Sequence, residues 1–152
     1  MPRRRKPKKV PDLVRRNRAL VAVQQQFGGK ALDLGAADCV QLVRFHLVKM
    51  GHRNLPPATG YDDAVSARKV LRGMGFETLE ELFDSLLPRI APAFMLPGDV
   101  AVVAAEEGAP AWEVGTVVIS IGRKFLGWHP DADCLAIIDP KIPRPFVAAW
   151  RA

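Results

Sequence analysis

Hydrophobic periodicity changes type once along these 152 residues, near Leu96, and this change constrains the fold more than any other feature. Upstream of it, apolar residues recur every three to four positions. They are Leu13, Leu20, Val21 and Val23 in residues 11–26, then Val40, Val43, Leu47 and Met50, then Leu79, Leu82, Phe83 and Leu86. That spacing predicts amphipathic helices. Gly28-Gly29, Gly51 and Pro88 end them, and a further helix fits residues 62–72 ahead of Gly73-Met74-Gly75. Asp38 with Gln41, and Thr78 with Glu81, have the spacing of a capping box. Downstream, residues 99–104, 115–121, 124–128 and 134–138 read as short strands divided by Gly, Pro and acidic turns, and the chain closes with a proline-bound segment, 140–145, followed by residues 146–150. Helices first and strands after predict an α+β domain with helices on one face of an antiparallel sheet.

A hydrophobic content of 49% is enough for one real core, and no domain boundary shows within residues 11–152. No run of eighteen apolar residues offers a membrane span. The basic N-terminus has no apolar segment after it and does not read as a secretory signal. Two cysteines, Cys39 and Cys134, do not make a disulfide framework. No CxxC, HExxH or His/Asp cluster suggests a metal, and nothing suggests a cofactor. The expectation is a chain made in a reducing cytoplasm.

The net charge of +6 is unevenly placed. Residues 1–20 carry nine Lys/Arg against one Asp, or +8, while the remaining 132 carry 13 Lys/Arg and 15 Asp/Glu, or −2. Residues 1–10 are therefore expected to be a basic arm on a nearly neutral domain, suited to an acidic protein groove or to nucleic acid. No aromatic residue precedes Phe27, so the arm has nothing on which a base could stack.

The stretch Gly35-Ala36-Ala37-Asp38-Cys39 holds the chemistry. Asp38 is a good N-cap and puts Cys39 at the first helical position. Free backbone N–H groups and the helix dipole at such a position lower a thiol pKa and favour the nucleophilic thiolate. Buried cysteine also serves as a small hydrophobe, and the same position suits that role. His46 follows seven residues later, about 10 Å along the axis, out of reach of the thiol and expected to be a surface or partly buried histidine. His52 is expected to complement the C-terminus of the same helix. Asp99 reads as a turn residue, and Trp128 as core or interface.

Asp38-Cys39 at a helix start, Leu96-Pro97-Gly98-Asp99-Val100 opening a strand and the hairpin that follows resemble the NlpC/P60 cysteine peptidase fold, and the stretches that carry this and a narrower likeness are five. They are Gly35-x-x-Asp38-Cys39, Gly51, Pro97-Gly98-Asp99-Val100, the hairpin Val117–Gly122 and Ala149-Trp150-Arg151. They are similar in particular to small NlpC/P60-like proteins encoded among bacteriophage and prophage tail genes, over residues 11–152. The resemblance implies a cysteine nucleophile, a histidine base and a third polar residue that orients the base. Cys39 falls at the nucleophile position. Thr116 falls where the base is expected, and a threonine hydroxyl cannot serve as one at neutral pH. His129 falls at the third-residue position and becomes the base only if it reaches the thiol. The expected function is a structural protein of a phage tail tip or baseplate with a degraded peptidase site. It would be made in the host cytoplasm, reside in the virion and bind other tail proteins through the arm and the domain surface. The alternative is an active cysteine endopeptidase or amidase acting on peptidoglycan, and a third reading, from the arm alone, is a nucleic-acid-binding assembly factor.

Overall fold

In a computed structural model, residues 8–104, 108, 115–129, 132–139 and 146–152 are described, and most of the basic arm lies outside them. Four helices precede a six-stranded antiparallel sheet. The helices are α1 (Asp12–Phe27), α2 (Cys39–Lys49), α3 (Ala64–Gly73) and α4 (Leu79–Leu86). The strands are β1 (Arg89–Ile90), β2 (Val100–Val103), β3 (Thr116–Ser120), β4 (Phe125–Gly127), β5 (Ala136–Ile138) and β6 (Phe146–Trp150). Across the sheet the order is β1-β6-β2-β3-β4-β5, so the strand latest in sequence lies inside it, between β1 and β2.

The α+β expectation holds, with local corrections. Strands are shorter than their β-branched runs because the chain turns before the apolar pattern ends; the fourth begins at Ala136 rather than Cys134. Two-residue β1 is held by register alone, Arg89 opposite Trp150 and Ile90 opposite Ala149, so its own residues give no signal. Leu13 and Val21 are exposed, whereas Ala19, Leu20, Val23 and Phe27 are buried. The buried face of α1 is thus rotated from the expected one, and it includes a charge, Arg16.

Alternation along the strands separates two apolar layers. Val100, Val102, Val117, Ile119, Leu126, Ala148 and Trp150 join the helices in the main core. Ala101, Val118, Phe125 and Ala149 form a smaller cluster. Within it the Phe125 and Phe146 rings lie 4.8 Å apart although β2 and β3 separate their strands. Flat strands spaced about 4.8 Å would keep those rings far apart, so the sheet curls strongly toward a half-barrel. α2 packs on β3 in the main core, directing its first turn at the sheet.

Beside His46, in the later half of α2, a buried polar knot fastens the helices to the sheet. Arg16, 3% exposed, donates to the Asp99 carboxylate at 2.8 Å, to the Pro97 carbonyl at 3.0 Å and to the Ala152 carbonyl at 3.1 Å. Asp99, fully buried, also accepts from the Leu96 and Ala152 backbone N–H groups. It closes the 96–99 turn as expected, and it is in addition the counter-charge of Arg16. The hydrogen bonds around the pair satisfy charges that would otherwise be costly to bury.

Candidate functional site

The first turn of α2 is built by the residues just before it. Asp38, buried and extended, accepts from the Gln41 N–H and from the Gly35 N–H, both at 2.8 Å, and from the Tyr61 hydroxyl at 2.8 Å. Only half of the expected capping box forms. The Gln41 amide turns away from Asp38 and donates to the Ala58 carbonyl, tying the 56–61 loop to the helix start. Gly35 has φ +92°, and a Cβ there would sit 2.3 Å from the Tyr61 carbonyl oxygen. The Gly-x-x-Asp-Cys spacing is therefore a backbone requirement: the loop passes too close to Tyr61 for any side chain.

Cys39 begins the helix as expected and lies against β3, where the Val117 backbone hydrogen-bonds its sulfur. Its acidity does not follow the expectation. The thiol is pushed up to about 11, first by burial and further by the neighbouring Asp38 carboxylate. Hydrogen bonds from Val117 and from the helix's own N–H groups oppose the shift without cancelling it. The residue is half-buried, and the desolvation this brings outweighs the helix terminus. At neutral pH the group is a thiol.

Around the sulfur lies a cleft of about 300 Å³ walled by α2, α3, α4, the loop before α3 and the start of β3. Cys39 and Thr116 both line it, as do Tyr61 and Trp128, while none of His46, His52 and His129 is among its lining residues. Thr116 thus shares the thiol's cleft. His129 follows Trp128 just beyond β4, half-buried, its carbonyl accepting from the Ala132 N–H at 3.0 Å. Trp128 is buried, its indole N–H on the Lys30 carbonyl and its ring edge-on to Phe27.

Two expectations for histidine are corrected. His46 is neither on the surface nor partly buried but fully buried, with Nε2 donating to the Gly98 carbonyl at 2.8 Å. His52 is lowered in pKa by partial burial and by Arg15, which disfavours the cation a helix C-terminus would attract. That end of α2 is served instead by Arg15, donating to the Met50 carbonyl at 2.8 Å. Tyr61 and the Arg16–Asp99 pair went unread in the sequence. The available signal for Arg16 was its place in the 16, 20, 23, 27 spacing of the buried face. Among the described residues, no group of three His, Cys, Asp or Glu could hold a metal ion, and no helix is long and apolar enough to cross a membrane.

A family model described as a domain of unknown function, DUF6950, matches residues 12–151. The chain belongs to the DUF6950 family. No curated protein matches it. Among solved structures this DUF6950 chain is similar to NlpC2 from Trichomonas vaginalis, at 17% identity and a TM-score of 0.58, over 97% of this chain and 50% of that one. It is also similar to NlpC1 from the same organism, at 18% identity and a TM-score of 0.57, over 96% of this chain and 46% of the other. The chain spans about half the length of these neighbours. At such identities the likeness is one of fold, and the DUF6950 domain is NlpC/P60-like in architecture.

Proposed function

We propose that this chain acts by binding rather than by hydrolysis, as an NlpC/P60-like scaffold whose peptidase site has lost its base. One observation carries the reading: the cleft that holds Cys39 is lined by Thr116, the residue that the resemblance puts in the base's place, and by no imidazole, while burial keeps the thiol's pKa raised. General-base activation of a thiol requires a proton acceptor within hydrogen-bond reach, and a threonine hydroxyl is not one. The apolar walls add weight, since a peptidoglycan stem peptide is polar and would leave its amides unpaired there. The setting we propose is a bacteriophage tail tip or baseplate, on the likeness to small tail-gene-associated proteins and on the basic arm, with neighbouring tail subunits as partners.

The retained thiol at a helix N-terminus favours one other reading, an active cysteine peptidoglycan hydrolase. The two separate in a paired measurement of iodoacetamide alkylation against pH and of peptidoglycan digestion. The binding reading expects alkylation of Cys39 to keep accelerating to about pH 11, with no muropeptide released by wild type or by Cys39→Ala. An apparent thiol pKa well below the reference of about 8.5, with turnover lost in Cys39→Ala, overturns it. Loss of that turnover in His129→Ala as well would make His129 the base. The tail setting is tested by asking whether the tagged chain sediments with assembled tails; recovery only as free protein counts against it.

A further inference from the structure

We propose that the cleft over Cys39 is a binding site for an aliphatic carboxylate of about ten carbons, its chain seated among the helices and its anionic head toward Arg44. The inference goes beyond the loss of hydrolysis and holds whether or not the thiol reacts.

Size and lining specify the ligand. A methylene occupies roughly the volume of a water, about 30 Å³, so a cleft of about 300 Å³ seats a chain of about ten carbons. Its walls include Val43, Val70, Leu71, Leu82 and Leu86 from three different helices, with Met74 just past the end of α3. Of the polar groups at the wall, Tyr61 donates to Asp38, and residues behind the wall occupy the rest of that carboxylate. Asp38 accepts from Gly35, Gln41 and Tyr61, and Gln41 reaches the Ala58 carbonyl. A polar ligand would compete for partners already taken, whereas an apolar chain meets unopposed hydrocarbon.

Charge sets the orientation. Among the described lining residues Arg44 is the sole cation and Asp38 the sole anion. Asp38 is buried and its carboxylate is hydrogen-bonded on both oxygens. Arg44 is half-buried, with Nε on the Pro56 carbonyl at 3.0 Å, which fixes its guanidinium at the cleft wall. A fixed guanidinium beside an aliphatic cleft matches an amphiphile with a carboxylate head.

Calorimetric titration of the full chain with octanoate, decanoate and tetradecanoate below their micelle concentrations tests the site. Expected is saturable one-to-one binding that tightens about tenfold from octanoate to decanoate, then levels off at tetradecanoate once the cleft is full. Decanol should bind several-fold more weakly than decanoate. Filling the cleft through Ala67→Trp, or through Ala64→Phe if the first variant fails to fold, should abolish decanoate binding in a protein with wild-type circular dichroism. No saturable binding, affinity that climbs steadily through tetradecanoate, decanol binding as tightly as decanoate, or undiminished binding by a folded filled variant each overturns the proposal. Capture by phosphatidylglycerol vesicles without binding of monomeric decanoate overturns it too, by identifying a membrane surface instead.

Discussion

Enclosed between α2 and the 96–99 turn, His46 is a histidine the fold keeps neutral. Its Nε2 proton goes to the Gly98 carbonyl, and Nδ1 has no partner among the described residues. Burial pushes its pKa down from 6.5 to about 4; the Arg16 guanidinium and His52 push the same way, while the Gly98 hydrogen bond and the Asp99 carboxylate oppose them. An unfolded chain therefore takes up a proton between about pH 6.5 and 4 that the folded one refuses, and stability falls as pH drops through that window. Going from pH 7 to pH 5 should cost about 2 kcal/mol, at 1.36 kcal/mol per pH unit below 6.5. Urea titrations across pH 4–7.5 should show the slope in wild type and its loss in His46→Gln; an equal slope in both would place the proton elsewhere. The carboxylates held below their ordinary range, Asp12, Asp63 and Asp84, lose their contribution only at lower pH. None of this can be read along α2 itself, because the carbonyl that fixes His46 lies 52 residues downstream.

The helix starts were the most legible elements, because caps are local. Asp38, Asp63 and Thr78 each accept from the backbone N–H three residues on, as such residues do wherever they precede a helix. What the helix start at Cys39 needs beyond its cap is Gly35. Gly35→Ala combines a left-handed φ with a Cβ driven into the Tyr61 carbonyl, and should destabilise the domain by at least about 2 kcal/mol. A denaturation midpoint unchanged from wild type would show that the loop can move aside. Less legible was anything decided by pairing across the chain. β1 exists because β6 offers it an edge, and the exposed side of α1 is fixed by where Arg16 finds Asp99. The candidate site divides the same way. Cys39 and its helix were plain from neighbouring residues, and Thr116 came from its place in a motif. The thiol's raised pKa depends on the walls around it, which come from parts of the chain far apart in sequence.

At the scale of the whole molecule, a polycation adjoins a nearly neutral body. Lys8, Lys9 and Val10 are exposed, and α1 begins only at Asp12, so deleting residues 1–10 should leave the melting temperature nearly unchanged. The same deletion should weaken association with an acidic partner surface, and only the full-length chain's association should decline steeply with added salt. Unfolding on deletion would make the arm part of the core, while tight, salt-sensitive DNA binding lost with the arm would point to nucleic acid. The position of β6 has a separate consequence, for synthesis. The helices and the first five strands are synthesised before residues 146–150 exist to join β1 to β2. Until then both neighbours present open hydrogen-bonding edges, and Asp99 and Arg16 lack the Ala152 backbone that completes their knot. A nascent or prematurely terminated chain is thus an adhesive intermediate rather than a smaller stable protein, and its yield in a cell should depend on chaperone capacity and translation speed.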